Sequence, residues 1–350
     1  MTKRIFSLLM CLLLICAWLP AAQADAASLS IATAEEFMVF AENCRLDSYS
    51  RGLSVSLESD IDLSGTDFFP VPSFSGSFDG KGHLISGINL ESDGSVQGLF
   101  RYICSGAVVK NLKVSGSISP GGSRVSVGGI AGSNAGTILS CSFDGSIIGG
   151  DKVGGIVGEN RPGGIIDTCS SSGTVSGLHF AGGIAGENNG VIRNCENYAP
   201  INTSEQENLV EISDISIESL AGSEFAATVT DIGGICGLSH GLIRSCVNYG
   251  AVGYKSMGYN VGGIVGSQSG YIADCENRAD ILGRKEVGGV AGQLEPTANV
   301  DYDTDTLQIL QSQLDAMGGT VNQASAEMQS AGNKLGDQME ELDEPLDTAK

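Results

Sequence analysis

Apolar and polar positions alternate in short runs along most of this chain. They change to a three-four spacing only near its two ends. Residues 29–44 read as a short helix: Thr33 is placed to cap it, and Glu36 completes a capping box. Phe37, Met38, Phe40, Ala41 and Cys44 give that helix an apolar face. LSVSLESDIDLSG (53–65) then alternates with the period of a strand, and FPVPSFSGSFDGKGHLISGINL (69–90) is dense in glycine and turn residues.

From Gly98 onward an internal repeat dominates. A glycine pair recurs as VGGIAG (127–132), VGGIVG (153–158), AGGIAG (181–186), IGGICG (232–237), VGGIVG (261–266) and VGGVAG (287–292). The first glycines are 26, 28, 51, 29 and 26 residues apart, so the unit has about 26 residues and the value of 51 is close to two of them. Further columns repeat with it. Asn134, Asn160, Asn188, Ser239 and Gln268 lie six residues after the glycine, and Ile138, Ile192, Ile243 and Ile272 lie ten after. Cys141, Cys195, Cys246 and Cys275 lie thirteen after, and Cys169 joins them in a unit two residues longer. Asn197, Asn248 and Asn277 follow three of these cysteines.

One such unit cannot bury its Ile, Val and Cys side chains alone, whereas stacked units can. The repeat therefore predicts an all-β fold, a right-handed parallel β-helix (β-solenoid) of seven or eight coils, each about 4.8 Å above the last. Asparagines at equivalent corners are expected in left-handed turns, hydrogen-bonded to the next coil. Glycine is expected to permit sharp corners and close chain packing. The 29–44 helix is the natural N-terminal cap. Residues 201–231, with seven acidic residues and no basic one, are either a degenerate coil or an acidic insertion, and a coil with a projecting loop is favoured.

The pattern VGGIVGxNxGxIxxCxNxG resembles the GLUG-motif repeat of bacterial surface adhesins and of some IgA-directed peptidases. SGSFDGKGHLISGINL (75–90) and QGLF (97–100) are similar to the leading coils that precede such repeats. The resemblance covers about residues 30–295. It implies a β-solenoid scaffold and names no chemistry.

Lys3 and Arg4, an apolar run from Ile5 to Leu19, and Ala22-Gln23-Ala24 read as a secretory signal peptide over residues 1–24. Export to the cell surface or medium follows. Residues 25–97 then hold the cap helix and leading coils, and residues 98–298 the repeats. In residues 299–350, Leu307, Leu310, Leu314, Met317, Val321, Ala324, Met328, Ala331, Leu335 and Leu342 keep heptad spacing. This segment predicts a coiled-coil-like helix that self-associates, and an ending at Lys350 inside the pattern is expected of a fragment. Among 350 residues, 19 basic face 41 acidic, a net charge of -22 that argues against nucleic acid as a partner.

Candidate chemistry is sparse. Eight of the ten cysteines lie beyond the leader, and five recur once per coil, the spacing of an interior ladder of free thiols. His83, His179 and His240 are scattered, without an H-E-x-x-H or G-x-S-x-G element. Asp60, Asp62 and Asp67, and then Asp301, Asp303 and Asp305, form acidic clusters that read as turns and helix starts rather than calcium sites. Asp79 belongs to a turn, and Arg193 and Arg244 share one surface column. Tyr198 and Tyr249 share a position sixteen residues after the glycine, where a packing stack at a corner is expected. No catalytic residue, metal ligand or cofactor is assigned. The expectation is a non-enzymatic adhesin-like face or rigid spacer, with an extracellular protein or glycan as ligand. The alternatives are a lyase-like polysaccharide-active β-helix and a structural segment of a larger envelope protein.

Overall fold

The computed structural model describes residues 27–122, 124–204 and 229–295, together with Gln323. The leader over 1–24, most of the acidic stretch and nearly all of the heptad segment lie outside the described residues.

One turn of the chain shows the architecture. Thr137–Leu139, Ser142–Ile148, Asp151–Gly154 and Val157–Asn160 are four short strands at three corners, and Ile165–Asp167 then returns to lie beside Thr137–Leu139. Among the described residues repetition makes four parallel sheets of nine, eight, seven and eight strands, here called the first to fourth faces in that order along the coil. Together they form a parallel β-solenoid of about eight turns. Parallel pairing needs a crossover between partners. Here the rest of each coil supplies it.

The columns in the sequence become interior ladders. On the first face Phe78, Val109, Ile138, Ile166, Ile192, Ile243 and Ile272 sit in register. On the fourth face Phe100, Ala131, Val157, Ala185, Cys236 and Val265 do the same. Nearly all of these are fully buried. The 51-residue spacing is resolved by register. His179 pairs directly with Thr230, Ala185 with Cys236 and Glu196 with Val247. Ile201 bridges Val175 on one side and Val252 on the other. No extra coil fits between such partners, so the degenerate-coil reading gives way to one ordinary coil with an insertion between its second and third faces.

Asparagine departs from expectation. Asn134, Asn160 and Asn188 are buried and do not adopt left-handed backbone. Their amides form a chain through the interior: Asn134 Nδ2 donates to Asn160 Oδ1 (2.9 Å), and Asn160 Nδ2 to Asn188 Oδ1 (2.8 Å). Asn188 Nδ2 then donates to Ser239 Oγ (3.1 Å). A second ladder runs Asn197, Asn248, Asn277, each link 2.8 Å. The amide oxygens of Asn134, Asn188, Asn197, Asn248 and Asn277 also accept from a backbone N–H two residues on, as Asn134 does from Gly136. Asn160 has Pro162 there, which carries no N–H. Left-handed backbone falls instead on two other columns: Asn111, Ser140, Thr168, Asn194, Ser245 and Asp274 at the corner between first and second faces, and Lys152, Phe180, Asp231, Asn260 and Glu286 on the third face. That conformation lets the corner N–H donate to the next coil, as Ser140 does to the Asp167 carbonyl (3.0 Å).

The paired glycines have no positive φ either. They answer to space. A Cβ on Gly182 would collide with the Ala185 carbonyl, and one on Gly183 with the Asn197 amide. The motif is small because a backbone corner and the amide ladder press on it.

Before the repeats, helix α1 (Ala34–Asn43) carries the capping box read from Thr33 and Glu36. Its Phe37 and Phe40 pack on Phe78 at centroid distances of 6.4 and 5.9 Å, and Phe74 and Phe100 extend the cluster. At the other end, Val287 and Val290 are 45% and 48% exposed, whereas their counterparts one coil earlier, Val261 and Ile264, are fully buried.

Candidate binding surface

With the interior filled by ladders, chemistry is confined to the outward positions. These too form columns, because strands keep register from coil to coil, with one shift between Val114 and Gly116 where the second face of the leading coils meets the repeats.

On the first face the outward column runs Asp79, Lys110, Leu139, Asp167, Arg193, Arg244. Lys110 pairs with Asp79 (3.3 Å), Arg193 with Asp167 (2.8 Å) and Arg244 with Asp274 (3.1 Å). Burial pushes the Asp167 carboxyl up, but Asn194, Arg193 and Thr168 outweigh it and hold it below the usual range. These charges tie coil to coil. Between third and fourth faces Lys152 reaches Glu159 (3.2 Å) and Glu187 (2.7 Å). Burial raises Glu187, and Lys152 and Asn189 more than reverse the shift. Sequence reasoning passed over this network. Its signal was there, since Glu159 and Glu187 share a place five residues after the first glycine.

The other candidates do not converge. His83 bonds Asp60 (3.0 Å) and His179 bonds Thr230 (3.1 Å), and His240 contacts Ser269. Asp60 accepts from the Leu84 N–H, Asp62 from Ser64 and Asp79 from Lys81, which lowers the pKa of all three. Asp62 and Asp79 bond a backbone N–H two residues on, as turn residues do, whereas Asp60 ties to His83 and Leu84 of the neighbouring coil. Asp301, Asp303 and Asp305 lie outside the described residues. No group of three or more His, Cys, Asp or Glu among the described residues is placed to hold a metal ion.

The cysteines after the leader are free thiols. Cys141, Cys169, Cys195, Cys246 and Cys275 stack along one interior edge, each within hydrogen-bond reach of its neighbour. Burial pushes the Cys141 and Cys195 thiols up and opposes ionisation of Cys169 too, whereas hydrogen bonds from neighbouring thiols draw Cys169 and Cys246 down. The ladder faces the interior, where thiols pack as small apolar groups. Cys236 stands apart, in the fourth-face apolar column.

The second face carries the aromatic pair. Tyr198 and Tyr249 stack with centroids 4.8 Å apart and planes 2° apart. Tyr198 is 48% exposed and donates from its hydroxyl to Glu196 (2.7 Å). One coil further on, the Arg278 guanidinium lies over the Tyr249 ring at 5.3 Å and makes two 2.8 Å bonds to Glu276. The expected stack is present, on an open outer face rather than in a corner. A hollow is lined by Asn202, Ser204, Val229, Ile232, Tyr254 and Met257.

Comparison with known proteins adds the fold and little more. No family model matches the chain. Halomucin of Haloquadratum walsbyi is 30% identical over 128 residues, which is 32% of this chain and 1% of that protein. The chain thus spans a very small part of the curated relative it matches. A crystal structure described as a putative immunoglobulin A1 protease from Bacteroides ovatus superposes with a TM-score of 0.51 at 21% identity, covering 76% of this chain and 84% of that one. At that identity the likeness is one of fold: this chain is similar to a parallel β-solenoid already seen in another protein.

Proposed function

We propose that this chain is an exported, non-enzymatic β-solenoid of the GLUG-repeat kind, working outside the cell as an adhesin-like binding face or rigid spacer. In this reading the solenoid is right-handed, α1 closes its N-terminal end and the heptad segment associates with another helix. The observation that carries it is the coil-to-coil register of the four parallel sheets through the repeats. Register turns each outward position into a straight column, and interior ladders hold the columns stiff, so the fold presents long flat faces of fixed chemistry. Such faces suit recognition of an extended partner. The basic, apolar and small-residue order of residues 1–24 supports export. The likenesses to halomucin and to a protein described as a putative immunoglobulin A1 protease are in keeping with work outside the cell.

The test is protease shaving of intact producing cells, followed by fractionation and detection with an antibody to residues 98–295. Surface or medium signal that vanishes on deletion of residues 1–24 is expected. Cytosolic protein with the leader retained would overturn the reading. Calcium-dependent release of unsaturated sugars from an acidic polysaccharide would move it to the lyase-like alternative.

A further inference from the structure

We infer that the second face carries a slot for an arginine side chain of a basic protein partner, bounded by the open face of Tyr198, the carboxylates of Asp144 and Glu196, and a floor at Ser172. The slot would be a contact point of the extracellular binding face proposed above and rests on that reading.

Register defines the slot. One outward column runs Asp144, Ser172, Tyr198, Tyr249, Arg278, one residue per coil. Coils are about 4.8 Å apart, so about 10 Å separates the backbones at Asp144 and Tyr198. The residue between them is a serine whose hydroxyl turns down toward the Phe143 carbonyl (3.4 Å). A planar group therefore has room above Ser172. On one side is the ring face of Tyr198 that Tyr249 does not cover. On the other is Asp144, exposed and without a cationic partner among the described residues. Glu196 flanks the ring and fixes its hydroxyl.

The molecule shows what such a space accepts. At the far end of the same stack the outer face of Tyr249 is covered by the Arg278 guanidinium, held flat by two bonds to Glu276. Ring, guanidinium and carboxylate recur at the near end, with the guanidinium position left to a serine. Guanidinium stacks on aromatic faces and pairs with carboxylates better than ammonium does, because it is planar and weakly hydrated. The chain's net charge of -22 draws basic partners toward it. The rings are already stacked, so little ordering opposes binding.

Diffuse attraction to an acidic protein must be separated from the slot. The probe is a labelled tri-arginine peptide, with tri-lysine as its equal in charge, titrated by fluorescence anisotropy against the full chain at 0.15 M salt. Wild type is expected to prefer the arginine peptide. Tyr198→Leu keeps the net charge and is expected to weaken arginine-peptide binding about two- to fivefold, the range for an exposed cation–π contact, and to erase the preference. Ser172→Arg fills the slot from within and is expected to abolish the preference too, while the circular dichroism spectrum and melting temperature match wild type. Equal binding of both peptides by wild type, or an unchanged preference in Ser172→Arg, overturns the slot and assigns any attraction to diffuse charge. Neither result touches surface localisation, which shaving reads separately.

Discussion

The leading coils and the repeat coils share one backbone path, yet the same interior columns are filled by opposite chemistries. On the second face the column begins Ile61, Ile85, Val114, Phe143 and continues Ser171, Asn197, Asn248, Asn277. On the fourth it begins Phe74, Ile103 and continues Asn134, Asn160, Asn188. Apolar packing is non-directional and tolerates sliding. A buried amide is satisfied only when its neighbour stands in one place. The early coils thus draw cohesion from aromatic burial around α1. The later coils draw it from ladders that also lock each coil in register.

This contrast can be broken most strongly in the early coils. Phe78 is fully buried and touches Phe37, Phe40, Phe74 and Phe100. Phe78→Ala is expected to cost about 3–5 kcal/mol. Chemical denaturation of the full chain checks this, and a loss below about 1 kcal/mol would show that the cluster is not the anchor of that end.

The middle of a ladder comes next. Asn160→Ala leaves one of the two amide hydrogens of Asn134 and one lone pair of the Asn188 oxygen unpaired in the buried interior, the other of each being held by Gly136 and Gly190. Each orphaned group costs about 1–3 kcal/mol, so a loss of about 2–4 kcal/mol is expected. Asn160→Leu, with the same number of side-chain heavy atoms and the same branching, should not recover it, because the missing partners are polar. Recovery by leucine would mean that the ladder column, like the early one, needs only bulk.

Periodicity explains how much of this was legible in the sequence. Glycine pairs, amides and thiols recur because each must fit its own copy in the next coil, so the repeat declared the fold. The early aromatic core has no such constraint, and its coils were readable only as glycine-rich alternation. Spacing alone could not separate an insertion from a degenerate coil, since 51 residues suit both, and pairing of Ala185 with Cys236 decided it. The left-handed corners at Ser140 and Thr168 were invisible because neither residue type signals them. The column of Asp144 and Ser172 was hidden in part because the unit holding Cys169 is two residues longer.

Acid should act on the repeats' outer ties before their inner ladders. Asp167 is held below its usual pKa by Asn194, Arg193 and Thr168 against the opposing pull of burial. A depressed carboxylate stabilises the fold above its unfolded pKa of about 3.9, and that contribution disappears as pH falls through the lower folded value. Glu187 has the same sign. Stability is therefore expected to be flat from pH 7 to about 5 and to decline below about 4. Asp167→Asn should flatten the acid limb. A melting temperature that falls between pH 7 and 6 instead would point to histidine.

The smallest effect separates the outer columns from the inner ones. Arg193 is half exposed and its bond to Asp167 joins adjacent coils. Arg193→Ala should cost about 0.5–1 kcal/mol, with less of that difference remaining in 0.5 M salt, because solvent and ions screen an exposed pair. The amide ladder is buried and uncharged, so the cost of Asn160→Ala should not change with salt. If both variants respond alike to salt, the ladders are not sheltered from water. If only Arg193→Ala responds, the repeat coils hold their register from inside, and their outward columns are free to change sequence and bind.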